Sequence, residues 1–470
     1  MWTWRGTAGP PPASARPSTA RAPAKRSPAS PPPSPQEATM PDRECPHDRA
    51  HEDRAHEDRA HENHAHEHHE REHHEREPRG ALFPWRRPGP FAPPDRHGEC
   101  RALPGLPRVP RSAGGPTWVV TRYDEVREAL NDERLGNDRG HPGFPAPFPI
   151  PEDFTLNSSL LGMDPPQHTD YRRRVAKDFT VRRVKLLRPR VEEIVDRRIG
   201  ALRDAGPPAD LLADLALPIT ISVIMELLGI PAKDKDFLHV RTRTMFGGTA
   251  TAAERKEAVN ELDDYFRALV AAKYDRPGDD LVSKLTGAFP REDDFHELVH
   301  LTRLLFNGGH ESTASMIALG TLALLRHPEQ LDLLRGDPDL APSAVEELLR
   351  YLSVTDLTTA RVARTDLTIA GTEIREGDGV FPLTAAANRD PEAFDRPDEL
   401  DITRGSRRHL AFGHGRHLCL GSELARLELE VVFRALYRAL PELRLAVPFE
   451  ELSFKDGGLV YGVEALPVTW

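Results

Sequence analysis

The chain has little cysteine, no long apolar run and no excess of positive charge, and each shortage removes a class of function. Three cysteines in 470 residues, Cys45, Cys100 and Cys419, are too few and too scattered for a disulfide framework. They are also too few for an iron–sulfur cluster held by four cysteines. The formal net charge of −11 leaves no basic surplus for nucleic-acid phosphates. The longest apolar candidate, Met316 to Leu325, falls short of a membrane span. The N-terminus carries arginines but lacks the apolar core of a secretory signal. A cytoplasmic protein with no membrane span and no nucleic-acid partner is expected.

Apolar residues make up only 38% of the chain and prolines number 45, but both biases lie largely in the first eighty residues. Residues 1 to about 40 are Pro, Ala and Ser with scattered Arg, a composition that cannot bury enough apolar surface to order itself. Met40 follows and is a candidate start of translation. Residues 47 to 77 repeat a unit of the type Ala-His-Glu-Asp-Arg, holding about half of the 21 histidines. Such tracts bind divalent metals weakly without a fold, so a solvated tail is the simpler reading. Residues 1–79 are thus read as a tail and residues 80–470 as one catalytic domain.

Within that domain the pattern is mainly α with minor β. Trp118 to Thr121 reads as a strand and Tyr123 to Leu130 as a helix. The proline-rich stretch His141 to Pro151 cannot be helical. Helical spacing runs from Thr169 to about Leu325, brief strands from Arg361 to Ile374, and helix again from about Leu420 to Leu440.

Two segments carry chemistry. In the first, Phe412-Gly-His-Gly-Arg-His-Leu-Cys-Leu-Gly421 precedes a strong helix former beginning at Ser422. A cysteine there stands at a helix N-terminus, where unpaired N–H groups and the helix dipole favour the thiolate. Gly413, Gly415 and Gly421 permit tight turns and close approach to a flat ligand, and Phe412 can shield the sulfur. A merely structural Cys419 would leave three glycines, two histidines and an arginine without a purpose. In the second, the long helical stretch Glu297 to Arg326 contains Phe306-Asn-Gly-Gly-His-Glu-Ser-Thr313. Adjacent glycines cost about 1 kcal/mol each inside a helix. A flat ligand pressed against the helix, or a local opening of its hydrogen-bond ladder, would justify them. Glu311 and Ser312 follow, an acid beside an alcohol, able to pass protons toward the cleavage of an O–O bond. A kinked helix whose serine bonds back to its own turn is the plain alternative.

Phe412-Gly-x-Gly-x-His417-x-Cys419-x-Gly421 followed by Leu424-Ala-Arg426 resembles the haem-binding signature of the cytochrome P-450 family. The long-helix segment is similar to that family's Ala/Gly-Gly-x-Asp/Glu-Thr pattern, with Gly308 and Gly309 as the small pair and Ser312 where threonine is usual. The resemblance covers about Phe83 to Trp470 and points to soluble actinobacterial members. It implies the cytochrome P-450 fold, haem b (iron protoporphyrin IX) as cofactor and Cys419 as the ligand of its iron. It further implies Glu347 and Arg350 with Arg404 as a structural triad, and His168, Arg172, Arg361 and His417 as donors to the haem propionates. The implied reaction inserts one oxygen atom of O2 into a C–H bond of a bulky apolar small molecule, with electrons from NAD(P)H through ferredoxin reductase and ferredoxin. A monomer is expected, with Arg407, Arg408 and Arg416 facing an acidic ferredoxin. Leu304, Asn307, Gly308, Val354 and Leu357 are expected around the substrate, and the loop from Phe144 to Ile150 and Phe246-Gly-Gly248 as lids. A peroxide-driven peroxygenase and a non-catalytic haem or metal sensor are the competing readings. The first would carry an arginine near the glycines of the long helix, and the second would need no proton relay.

Overall fold

The computed structural model describes residues 82–112, 114–147, 160–246, 250–455 and 458–470. The tail of residues 1–79, with Met40 and the histidine tract, lies outside the described residues. The element expectations hold within a few residues: the first helix named above is Tyr123–Asn131 and its strand Thr117–Val120.

The axis of the fold is the helix Arg291–Arg326, 36 residues long and so about 54 Å from end to end at 1.5 Å per residue. It starts earlier than the sequence suggested. One residue, Asp294, leaves helical geometry at φ −121°, ψ 16°; its carboxylate holds Arg174 and accepts from the Tyr171 hydroxyl. Around this axis pack the helices Leu217–Leu228, Ala252–Asp275, Ala341–Leu352 and Ser422–Ala439. Two glycines of the long helix are contact points between helices. A Cβ on Gly309 would lie 2.7 Å from Ile224, and one on Gly320 would lie 2.7 Å from the Phe433 ring.

One expectation is corrected here. The segment Leu211–Leu228 has 18 residues with a mean hydropathy of 2.0, so it is long and apolar enough to cross a membrane. Within the protein 67% of it is buried, which makes it a core helix, wound with π geometry over Leu211–Ala216. Asp210 caps its start, accepting from the N–H of Leu212 at 2.9 Å and from that of Leu466 at 2.9 Å.

The main sheet sets the strands Arg108–Val109, Thr117–Val120, Gly379–Pro382, Arg361–Ala363 and Leu135–Gly136 side by side. Only Thr117–Val120 and Gly379–Pro382 run parallel, with Trp118 opposite Val380. Arg361 pairs with Val380, and its strand end delivers the arginine to the interior.

Behind the cysteine loop sits a buried triad. Arg350 donates Nε–H to Glu347 Oε2 at 2.8 Å and a terminal N–H to Oε1 at 2.8 Å, a two-pronged pair with both side chains 1% exposed. Its other donors reach the carbonyls of Asn388, Pro397 and Glu399, and Arg404 closes on Glu347 at 3.1 Å. Removing one partner of such a pair leaves an uncompensated buried charge, worth about 3–5 kcal/mol. This triad fixes the irregular segment from Asn388 to Arg404, which leads into the cysteine loop.

Candidate active site

The cysteine loop is built by backbone bonds. Gly413 and Gly415 take φ of +74° and +68°, and a Cβ on Gly415 would meet the Leu130 carbonyl at 2.8 Å. Cys419 N–H donates to the Phe412 carbonyl at 2.9 Å, closing the loop on the aromatic ring. The helix begins at Ser422 with Gly421 as its cap, so Cys419 stands two residues outside the cap. Phe412 is clamped by the Arg426 guanidinium, 4.6 Å above its ring. Arg426 in turn binds Glu346, which also holds His409 at 2.9 Å and Arg407 at 3.1 Å. Burial alone would raise the Glu346 carboxyl, but the His409 and Arg426 hydrogen bonds bring it down to about 2.

Cys419 is exposed and lines a cavity of about 1480 Å³. That exceeds the ~300–1,000 Å³ of ordinary small-molecule pockets, leaving room for a large cofactor and a substrate together. Burial pushes the Cys419 thiol up, against the pull of the Gly421 N–H, Arg172 and Arg426. The Gly421 N–H at the helix start pulls toward the thiolate, the direction that the sequence reading gave, and burial opposes it. A coordinating metal ion would deprotonate the thiol outright.

On one side of the cavity lies a cluster with too much positive character. His168, on the helix Gln167–Ala176, and His417 of the cysteine loop touch ring to ring. Both nitrogens of His168 and Nε2 of His417 have no hydrogen-bond partner among the described residues. Burial lowers His168 to about 4, aided by Arg172, Arg416 and Arg361. Burial lowers His417 to about 2, aided by Arg361, His168, Arg416 and Arg172. Arg361, 4% exposed, donates to the Thr359 and Ala360 carbonyls and is brought to about 9 by burial, with Arg139 and Arg416 adding and Asp164 opposing. Arg172 donates to the Leu418 carbonyl at 2.5 Å. Among the described residues neither Arg172 nor Arg361 forms an ion pair. Two ligand carboxylates would satisfy these donors, and a cavity with a thiol beyond them fits haem with its two propionates.

The opposite wall is the long helix. Gly308 opens on the cavity, and nothing lies within 4 Å of where its Cβ would be. The helix stays α-helical through both glycines, so no local opening of the ladder occurs there. Leaving room for a ligand is thus the reason for Gly308, and helix packing is the reason for Gly309. Glu311 and Ser312 line the same cavity. The Ser312 hydroxyl donates to the Gly308 carbonyl at 3.2 Å, and Glu311 pairs with Lys455 at 3.5 Å. His310 turns inward, bonded to the Phe306 carbonyl, and burial lowers it to about 4.

The pocket expectations divide. Leu304, Asn307, Gly308 and Val354 line the cavity. Leu357 does not: it packs against the sheet-side core of Phe83, Val362 and Phe381, and its neighbours Thr355 and Thr358 face the cavity instead. Phe144 is likewise packed in that core, 7% exposed, so this part of the proline-rich loop is an anchor and no lid. The rest of that loop, 148–150, and Gly247-Gly248 lie outside the described residues. Arg407 and Arg408 are exposed as expected, but Arg416 turns inward to the Asn131 carbonyl and joins the histidine cluster.

Some cavity residues escaped the sequence reading. Arg139 reaches the cavity from a loop and is brought to about 10 by burial; nothing in its neighbourhood in sequence marks it. Glu428, 1% exposed, lines the cavity with Oε2 unpartnered among the described residues, and burial pushes its carboxyl well above the usual range. Its place on the apolar face, four residues after Leu424, was the available signal.

Comparison with known proteins agrees with this geometry. The cytochrome P450 family profile matches residues 339–441. The chain is 45% identical to pentalenic acid synthase of Streptomyces avermitilis over 391 residues, covering 83% of this chain and 97% of that protein. It is 43% identical to the vitamin D3 dihydroxylase of Streptomyces griseolus over 83% of this chain and 96% of that one. Among solved structures, the mycinamicin VIII C21 methyl hydroxylase of Micromonospora griseorubida, bound to mycinamicin VIII, is similar with a TM-score of 0.78. It is 37% identical, over 83% of this chain and all (100%) of that one.

Proposed function

The chain belongs to the cytochrome P450 family, a haem-dependent monooxygenase, and from that premise we propose which substrates and electron donors it uses. The substrate is a bulky apolar small molecule of macrolide, polyene or steroid type, oxidised at a C–H bond. Electrons arrive from NAD(P)H through a ferredoxin reductase and a ferredoxin. The protein works as a monomer in the cytoplasm, with its catalytic domain over residues 80–470 behind a solvated tail. One observation carries the reading: a single cavity brings together the Cys419 thiol, the unpartnered ring nitrogens of His168 and His417 beside Arg172 and Arg361, and the Glu311–Ser312 pair.

Haem, when bound, supplies the iron at which dioxygen is activated. Cys419 would ligate that iron, with Phe412 packed over the loop to keep water from the sulfur. His168, Arg172, Arg361 and His417 would hold the propionates, with Arg139 and Arg416 adding charge behind them. Gly308 leaves space at the face of the long helix. Ser312, its proton committed to the Gly308 carbonyl, keeps its oxygen free to accept; turning off that carbonyl lets it donate into the cavity. Glu311 beside it can take a proton from water and refill the hydroxyl. Leu212, Leu304, Met316 and Val354 give the remaining wall an apolar surface, suited to a hydrophobic substrate. The relatives' names fit this class: one is a vitamin D3 dihydroxylase, and another is a methyl hydroxylase bound to mycinamicin VIII. Arg407 and Arg408, exposed beside the cysteine loop, suit an acidic ferredoxin.

The relay also favours oxygen over peroxide as the oxidant. Arg303, the arginine nearest the glycines on the long helix, is tied to Asp263 and so is not free to hold a substrate acid or peroxide. Turnover with ferredoxin, reductase and NADPH, compared with peroxide alone on a panel of macrolides, polyenes and steroids, tests the proposal. Product under the first condition is expected. Product with peroxide only would replace it with a peroxygenase, and none with either would favour a sensor.

A further inference from the structure

Short hydroxyl side chains on the helices of this protein bond back to their own turn. Thr244 donates to the Val240 carbonyl at 3.1 Å, Thr302 to that of Leu298 at 2.7 Å and Ser222 to that of Pro218 at 2.6 Å, as Ser312 does to that of Gly308. Thr242, on the helix Lys235–Phe246 and 1% exposed, does not: its hydroxyl has no hydrogen-bond partner among the described residues. The side-chain oxygen of Asn307 on the long helix is in the same condition. Three other hydroxyls share it, those of Ser315, Thr321 and Tyr437, but none of the three lines the cavity. Thr242 and Asn307 both do. Their helices meet across the site. His239, one turn before Thr242, lies within electrostatic reach of His310 and Glu311, and Asn307 stands one turn before Glu311.

Buried polar groups in a native protein are paired as a rule, so an unpartnered hydroxyl and an unpartnered amide oxygen on one cavity wall call for a reason. Met245 and Leu304, three positions away on the same helix faces, keep the surroundings of the two groups apolar. Both groups are neutral, and each side chain can donate and accept a hydrogen bond. Their counterpart is a neutral group of the same kind. A carboxylate would be repelled by Glu311 and drawn to the arginines beside the cysteine loop. We propose that Thr242 and Asn307 form a polar subsite that receives one hydroxyl of an otherwise apolar substrate. The subsite selects that substrate and sets which of its carbons lies near Ser312. The long helix rises about 1.5 Å per residue, so Asn307 stands roughly 7.5 Å along the axis from Ser312. The anchored hydroxyl and the oxidised carbon are therefore several bonds apart. This rests on the monooxygenase reading above and narrows its substrate class to alcohols.

The test titrates the full-length haem-loaded protein with matched ligands, androstanol against androstane and a hydroxylated macrolactone against its deoxy form. Displacement of the sixth haem ligand reports binding, and the ratio of the two dissociation constants within a pair is the quantity read. Thr242→Val and Asn307→Leu keep the side-chain volume and remove the polar atoms. Each should cut the preference for the alcohol roughly 3- to 10-fold in at least one pair, as the loss of one neutral hydrogen bond does. The deoxy ligand should bind as tightly as before or more so. Thr242→Val should also raise the denaturation midpoint of the substrate-free protein, because a methyl group replaces an unpartnered hydroxyl. Thr302→Val, which removes a bonded hydroxyl, should lower it. A preference unchanged in both variants for every pair overturns the proposal, as does a Thr242→Val protein less stable than the parent. If Asn307→Leu fails to hold haem, Asn307→Ala takes its place. A parent protein without the 450 nm band of its carbon monoxide complex would instead defeat the monooxygenase reading. The midpoint comparison needs no ligand and still decides on the Thr242 hydroxyl, so the two failures are separable.

Discussion

The imidazole of His168 lies against that of His417, ring centroids 4.0 Å apart and tilted by 40°, joining the helix after Pro165-Pro166 to the cysteine loop. A buried and a half-buried histidine with unpartnered nitrogens, ringed by arginines, form an unfavourable arrangement unless an anion completes it. The cluster therefore suits a ligand that carries carboxylates. His168→Phe keeps the ring and removes the donors. One charge-assisted hydrogen bond is worth about 1.5–3 kcal/mol, so haem should bind about 10- to 100-fold more weakly. Haem transfer to apomyoglobin measures this, and the carbon monoxide band should stay at 450 nm because the sulfur is untouched. Unchanged transfer would remove His168 from the propionate site.

Ser312 stands where threonine is usual in the family pattern that the segment resembles, with its hydroxyl on the Gly308 carbonyl. Without the methyl that restricts χ1, the hydroxyl samples more rotamers and delivers protons less reliably. Ser312→Ala should raise the share of NADPH electrons lost as hydrogen peroxide several-fold, and Ser312→Thr should lower it below the parent value. The balance of NADPH consumed against peroxide formed decides this. An identical balance in all three proteins would show that another group carries the proton.

Much of this site was legible because its parts are contiguous in sequence. The cysteine loop, the glycine pair and the acid–alcohol pair each lie within about ten residues, and local geometry fixes them. What failed depends on rotation and exposure. Leu357 sits on the short 3-10 turn Asp356–Thr358, where one step around the axis sends a side chain to the sheet core and its neighbours to the cavity. Arg416 read as a surface cation until the fold turned it inward on Asn131. The apolar helix Leu211–Leu228 was overlooked because Asp214 and Glu226 interrupt it, and only tertiary burial tells a core helix from a span. Arg139 and Lys455 reach the cavity through long-range folding alone, which periodicity does not report.

Glu428 is a charge-bearing group kept where a charge is costly. Burial pushes its carboxyl well above the usual carboxylate range, so the fold favours the neutral, protonated form over the charged one. The sign follows from linkage. The stabilising contribution is full below about pH 4.5, where the unfolded chain is also protonated, and is lost as pH rises toward the folded value. Over that window the parent loses about 1.4 kcal/mol per pH unit from this group. Glu428→Gln does not titrate, so its denaturation midpoint should exceed the parent's increasingly from pH 5 to pH 8 and converge with it near pH 4. A constant difference across that range would mean that the carboxyl is ionised in the fold.

Cys419 is the last case, and here the structure alters the expected reason more than the expected result. The sequence placed the sulfur at a helix N-terminus, a position that favours the thiolate. In the fold, burial holds the thiol up despite the Gly421 N–H, Arg172 and Arg426. A bound iron would then supply the pull that burial withholds from the sulfur's negative charge. Cys419→Ser should abolish the 450 nm carbon monoxide band, while Arg426→Gln, which removes a cation and the clamp on Phe412, should keep the band but shorten haem retention. If Arg426→Gln instead moved the band to 420 nm as completely as Cys419→Ser abolishes it, the surrounding cations, and not the iron, would be what sustains the thiolate.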